Sequence, residues 1–300
     1  MCIRDRGTVI YTQLCNERGG IECDLTMTRT APDTFYVVTG SAFGAHDMGW
    51  IRSNAPADGS VTISDLTSAR SVVNIVGPKS REVLQSVCED DVSNAAFKYA
   101  KAREITIGSA PVLAIRIGYV GELGWELHIP TEYAAHVYEL LHSAGQAHGI
   151  VDVGYRTIDT MRMEKGYVYW STDVTPDTTP WEAGLAWRVN LHKGDFLGRD
   201  ALVAQKEAGP PRQLCTFTLE TMAYPVSGEA IMLPDGDGSV VGFTTSANFG
   251  HTIGKPIVYG YLPAEHTDRR EFVIEVYGEP IPATRHDRPL YDPDNLRLKA

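Results

Sequence analysis

Short apolar runs rich in β-branched residues dominate the first part of the chain, at residues 8–14, 21–28, 35–39 and 61–67. Gly, Asn, Asp and Pro separate them, a punctuation that predicts strands joined by turns. Residues 72–76 predict another strand. Gly77-Pro78 then opens a helix with Val83, Leu84, Val87 and Cys88 on its apolar face. Residues 111–120 and 125–129 flank Gly121-Glu-Leu-Gly124 and predict a hairpin. The clearest helix follows at 131–148, capped by Thr131, with Tyr133, Val137, Leu140, Leu141 and Ala144 at helical spacing. A further helix from Tyr155 to Lys165 stops at Gly166, a left-handed terminator. The order strand, helix, hairpin, helix over 72–148 points to an α+β sandwich unit. Gly209-Pro-Pro-Arg212 reads as a linker, and beyond it the pattern is almost all β, at 213–219, 230–233, 239–245, 257–262 and 271–276. Asp235-Gly-Asp-Gly238 is a hairpin turn signal.

Composition narrows the class. A chain of 300 residues, 43% hydrophobic, can bury a sizeable core and suggests about two domains. Twenty-seven basic against 38 acidic residues give a net charge of −11, and the lysines and arginines are scattered. That balance argues against a nucleic-acid surface, which shows a basic patch. The longest apolar runs span only a few residues, such as 112–115, so no membrane span is expected. Five cysteines without CxxC spacing argue against a disulfide framework or a structural zinc site and favour a reducing, cytosol-like compartment. Residues 1–6 are charged and precede what reads as a mid-strand start, so an open fragment is expected.

Candidate chemistry is sparse. His136, His142 and His148 recur every six residues, about 240° per step on a helix, so they share no face. With no HExxH or His–Cys cluster, no metal site is expected. No GxSxG elbow occurs, and Cys23 reads as a small apolar residue in a buried strand. The glycines of Gly118-Tyr-Val-Gly-Glu-Leu-Gly124 do not match GxGxxG, and a strand follows them, so no dinucleotide fingerprint is expected there. What remains are polar residues inside β-forming segments. Asp24 stands where a strand should be apolar, Glu122 and Glu126 bracket the glycine hairpin, and Arg156 opens a helix. For each, a surface charge or a structural ion pair weighs at least as much as a role in a site.

Four ordered motifs resolve that ambiguity: Gly19-Gly-Ile-Glu-Cys-Asp24, Gly118-Tyr-Val-Gly-Glu-Leu-Gly-Trp-Glu126-Leu, Gly154-Tyr-Arg156-Thr-Ile-Asp-Thr-Met-Arg-Met-Glu-Lys-Gly166 and Thr179-Pro-Trp-Glu-Ala-Gly-Leu185. Together they resemble the aminomethyltransferase family, which includes the glycine cleavage T-protein. Tyr169-Trp-Ser-Thr-Asp173, Pro176-Asp-Thr-Thr-Pro180 and the closing Arg288-Pro-Leu-Tyr-Asp-Pro293 look more like the folate-binding half of dimethylglycine and sarcosine dehydrogenases. The resemblance covers nearly the whole chain from Gly7.

The resemblance implies an α+β fold of three subdomains around a central folate hole: a mixed β unit, a ferredoxin-like unit at 72–148 and a C-terminal β-barrel. The expected domains are 7–208 for folate binding and 209–300 for the barrel. It also implies that Asp24 is catalytic, next to the reactive end of tetrahydrofolate, and that Tyr119, Glu126 and Arg156 bind the folate. Four departures stand out. The family's amino-terminal strands and the flavin domain of the dehydrogenases are absent, and Cys23 replaces a second acid that the T-protein carries. Thr284, Arg285 and His286 offer no match for a C-terminal folate contact. The expected function is therefore the tetrahydrofolate-dependent methylene-transfer module of a demethylating dehydrogenase. Its partners would be a methylamine-derived iminium and an FAD domain missing from this chain, in the cytoplasm or, in a eukaryote, the mitochondrial matrix. The alternatives are a free-standing aminomethyltransferase and a non-catalytic protein of the same fold.

Overall fold

The computed structural model describes residues 5–235 and 238–300. They fall into two compact units. An α+β unit holds residues 5–11, Leu25–Val153 and Asp294–Ala300, and a barrel unit holds Thr12–Asp24 and Gly154–Pro293.

Strands β1 (Val9–Cys15), β2 (Ile21–Ala31) and β3 (Thr34–Thr39) form a three-stranded sheet in that order. Helix α1 (Gly44–Ser53) follows where the sequence pattern predicts no element. Its two glycines and its single buried side chain, Asp47, leave it without an apolar stripe. Residues 61–66, expected as part of a strand, pair with nothing regular, and Val61 and Leu66 are exposed. β-Branched content alone does not make a strand without a partner edge.

Strand β4 (Arg70–Val76), helix α2 (Ser80–Ser86), strands β5 (Ala102–Ile107), β6 (Ala110–Ile115) and β7 (Gly124–Pro130), and helix α3 (Ala134–Gly145) complete the α+β unit. The strands form one antiparallel sheet ordered β4-β7-β6-β5. Strand β6 ends at Ile115, five residues earlier than the apolar run suggests, and residues 116–123 form an irregular connection. Thr131 does not cap α3; its hydroxyl donates to the Ser68 carbonyl at 3.1 Å. Alternation along β7 sends Trp125, Leu127 and Ile129 into a core that includes Leu84, Phe97, Ile107 and Val137. Trp125 and Phe97 meet edge to face at 6.1 Å. Glu126 and His128 therefore occupy the opposite face of β7.

Helix α4 (Tyr155–Glu164) ends as expected at Gly166, whose φ of +78° a side chain would oppose. Helix α5 (Arg199–Ala208) precedes β8 (Arg212–Leu219), β9 (Ala230–Met232), β10 (Val240–Gly250), β11 (Lys255–Pro263), β12 (Glu271–Val276) and β13 (Glu279–His286). These six strands close into a barrel ordered β10-β11-β8-β13-β12-β9. Phe217 and Phe272 fill it edge to face at 5.4 Å, with Ile231, Val258, Leu262 and Ile274 around them. Strand β13 is absent from the sequence reading because Pro280 and Pro282 interrupt it. Its ladder to β8 begins only at Ala283, past the residues that lack an N–H. The expected hairpin at 235–238 includes Gly236 and Asp237, which lie outside the described residues, as do positions 1–4. No helix among the described residues is long and apolar enough to cross a membrane.

Candidate functional site

Asp24 owes its position to the glycine pair before it. Asn16 turns the chain, its side-chain oxygen accepting the N–H groups of Arg18 and Gly20 at 3.1 and 3.0 Å. Gly19 takes φ +81°. A Cβ on Gly20 would stand 1.8 Å from the Pro176 carbonyl oxygen, the same oxygen that accepts Asn16 Nδ2 at 2.9 Å. One residue on, Ile21 N–H donates to Thr178 O at 2.9 Å. The glycines thus let β2 start against the 176–178 turn. Gly20→Ala is expected to cost stability by at least the roughly 1–3 kcal/mol of core overpacking. A urea midpoint equal to that of the parent chain would contradict the clash.

Along β2, Ile21, Cys23 and Leu25 are buried while Glu22, Asp24 and Thr26 are half-buried. Asp24 is therefore not an intruder on an apolar face; it sits on the partly open face, and its Oδ1 accepts Gln13 Nε2 at 3.0 Å. Cys23, fully buried, matches the apolar reading, and Cys15, Cys23, Cys88 and Cys215 form no disulfide. Burial pushes the Cys15 thiol up to about 11, which removes it as a nucleophile at neutral pH.

Glu126 and Tyr119 lie in the α+β unit. Tyr119 occupies the bend between β6 and β7 and is half-buried. The Glu126 carboxylate is half-buried yet accepts no hydrogen bond among the described residues; its Oε2 stands 3.6 Å from His128 Nε2. Glu122, by contrast, is buried and stands 3.7 Å from Arg297 Nη1. The two hairpin glutamates thus differ: Glu122 is buried in the irregular connection before β7, and Glu126 is half-buried on the strand.

Arg156 belongs to the barrel unit, in the first turn of α4. It is exposed, and its guanidinium makes no hydrogen bond or ion pair among the described residues. A cation at a helix N-terminus opposes the macrodipole, a cost of about 0.3–1 kcal/mol, and no acid in the first turn relieves it. Of the four expected site residues, Asp24 and Arg156 fall in one unit and Tyr119 and Glu126 in the other. An open hollow of about 430 Å³ in the barrel unit, lined by Leu191, His192, Gly194, Asp195 and Arg199, contains none of them.

The motifs also carry buried charges that sequence reasoning left unassigned. Arg162 and Asp173, both almost fully buried, pair at 2.7 Å. Arg162 further donates to Asp159 Oδ1 (2.9 Å), Tyr167 O (3.1 Å) and Ser246 Oγ (2.7 Å). Asp173 accepts Tyr169 N–H at 2.8 Å and the Thr245 hydroxyl at 2.6 Å. In Thr179-Pro-Trp-Glu182 the glutamate accepts Thr179 N–H at 2.8 Å while its own N–H donates to the Thr179 hydroxyl at 3.3 Å, a capping box legible from the T-x-x-E spacing. Its second oxygen accepts Arg212 Nε at 2.8 Å. Lys165, also buried, pairs with Asp292 at 3.2 Å and ties the closing motif to the end of α4.

Comparison with known proteins agrees with this architecture. The GCVT N-terminal domain model matches residues 2–193 and the glycine cleavage T-protein C-terminal barrel domain model matches 212–292. The chain is 36% identical to mitochondrial sarcosine dehydrogenase of Mus musculus over 99% of its own length and 34% of that protein's. It is also 36% identical to mitochondrial dimethylglycine dehydrogenase of Mus musculus, over 98% of this chain and 34% of the relative. It thus spans about a third of the length of each of these two dehydrogenases. The crystal structure of glycine cleavage system aminomethyltransferase T from Bartonella henselae superposes with a TM-score of 0.84 at 26% identity, covering 97% of this chain and 78% of that one. With both domain models matched in order and the barrel closed, the chain belongs to the glycine cleavage T-protein (aminomethyltransferase) family.

Proposed function

We propose that this chain is the tetrahydrofolate-dependent methylene-transfer module of a flavin-dependent dehydrogenase that demethylates dimethylglycine or sarcosine. The observation that carries the reading is the match itself: nearly all of this chain aligns with only a third of each dehydrogenase. Tetrahydrofolate, when bound, supplies the amine nitrogens that take up a methylene group from a methylamine-derived iminium. The residues present suit it. Glu126 has both carboxylate oxygens without a hydrogen-bond donor among the described residues, as two-point recognition of a pterin's amidine-like donor pair requires. Tyr119 offers an aromatic face to a flat ring. Arg156 holds an unpaired guanidinium for an anionic group of the ligand. Asp24, oriented by Gln13, accepts the proton released when an amine nitrogen forms its new bond, or steadies the cation that precedes it.

FAD supplies the oxidation of the amine and belongs in this reading to a domain outside these 300 residues; no residue of this chain is assigned to it. The same proposal places a folate-binding domain at 7–208, with its ferredoxin-like part at 72–148, and a barrel domain at 209–300. The compartment would be the mitochondrial matrix or a cytoplasm. A second reading, a free-standing aminomethyltransferase, is favoured by the likeness to the Bartonella structure. The upstream coding sequence separates the two: a dinucleotide fingerprint selects the dehydrogenase. A third, a non-catalytic member of the fold, is disfavoured by the retained Asp24.

Calorimetric titration with folinic acid tests the shared part of these readings. Saturable heat is expected from the folded chain, and its absence from a well-folded sample would overturn folate binding.

A further inference from the structure

On the polar face of β7, two residues beyond Glu126, His128 is buried to 1% exposure. A strand places such i, i+2 neighbours side by side. The imidazole is flanked in register by Val72 on β4 and Leu113 on β6. Its Nδ1 lies 3.1 Å from the Tyr36 hydroxyl on β3, and the two rings meet edge to face at 5.3 Å and 88°. Its Nε2 is buried and has no hydrogen-bond partner among the described residues, yet it stands 3.6 Å from Glu126 Oε2. A buried polar nitrogen left unmatched costs about 1–3 kcal/mol, so the arrangement calls for an explanation.

Tyr36 holds one end of the chain of bonds. Its hydroxyl holds its proton more tightly than usual, chiefly through burial, with Glu126 adding to the effect and Arg70 opposing it. A phenol can donate or accept, and the Glu126 carboxylate decides between the two: a lone pair on Nε2 would face its oxygen at 3.6 Å, so the hydrogen sits on Nε2 and Nδ1 accepts from the Tyr36 hydroxyl. That N–H faces the carboxylate.

We propose that His128, oriented by Tyr36, is a positioning residue for Glu126: its Nε2–H closes onto one carboxylate oxygen when ligand is bound and fixes the carboxylate plane for the pterin. The inference rests on the folate reading above, and Glu126, not His128, touches the ligand. The gap of 3.6 Å closes with a small rotation of the Glu126 side chain, and the orphaned nitrogen gains its partner in the same step. The Tyr36–His128–Glu126 relay therefore links β3 to the binding carboxylate within one unit.

Two measurements test it. Long-range 15N–1H correlation on histidine-labelled chain reads the tautomer without any folate; Nε2–H with Nδ1 as acceptor is expected, and Nδ1–H overturns the proposal. Folinic acid titration of variants reads the consequence. In His128→Gln the amide nitrogen can take the place of Nε2, so affinity should stay within about threefold, whereas His128→Asn mimics only Nδ1 and should lose roughly ten- to hundredfold, the worth of a hydrogen bond to a charged group. On a Glu126→Gln background the same His128→Asn change should add little. Equal losses on both backgrounds, or equal affinity of all variants, would overturn the positioning role. A parent chain that shows the expected tautomer but binds no folinic acid overturns the folate reading instead.

Discussion

Replacing Asp24 by asparagine is expected to slow methylene transfer by roughly 10²–10⁴, the usual contribution of a general acid–base group, while the fold scarcely changes. Asparagine keeps the size and the Oδ1 that accepts Gln13 Nε2 at 3.0 Å, and it removes only the charge and the proton acceptor. The half-buried face of β2 supports this expectation, because a carboxylate there keeps part of its hydration. Folinic acid affinity should fall only modestly. The measurement is folate-coupled capture of the methylene group by a polypeptide that carries this chain with its proposed flavin domain, alongside a thermal melt. A large drop in Tm with undiminished transfer per folded molecule would end the catalytic assignment.

The largest loss of stability is expected at the opposite kind of carboxylate. Asp173→Ala removes the buried carboxylate from the nearly fully buried Arg162 guanidinium and should cost up to about 3–5 kcal/mol. Asp173 also satisfies the Tyr169 N–H and the Thr245 hydroxyl, so the vacancy leaves several donors unmatched at once. Arg162 retains Asp159, Tyr167 and Ser246, which sets the loss below that of a wholly unpaired charge. Replacing both partners together with leucine and methionine should recover much of the difference, since it removes the buried charge as well as its partner. Chemical denaturation reads both outcomes. A single variant within about 0.5 kcal/mol of the parent, the range of an ordinary surface change, would show that water reaches the pair.

These two aspartates also mark the boundary of what primary structure discloses. Both lie in recognisable motifs, but residue type and spacing do not say which is half-open and which is sealed. The difference comes from neighbours distant in the chain: Thr245 and Ser246 on β10 close over the Arg162–Asp173 pair, while on β2 the strand alternation leaves Asp24 on the open side.

Local rules account for much of the rest. Helix α4 with its Gly166 terminator, the strand alternation of β7, the end of helix before Gly209 and the glutamate of Thr179-Pro-Trp-Glu182 follow from periodicity, φ preference and capping chemistry, which act within a few residues. Where an element lacks such a local signature, the pattern fails. Helix α1 has two glycines and no apolar stripe. Residues 61–66 have the composition of a strand but no edge to pair with, and β13 carries prolines that are harmless only where β8 asks for no N–H. The alternation in Trp125-Glu-Leu-His128 puts His128 beside Glu126 from sequence alone. That its other nitrogen meets Tyr36, ninety-two residues earlier in the chain, is decided by tertiary packing, because a tautomer is set by whichever partners the fold brings to the ring.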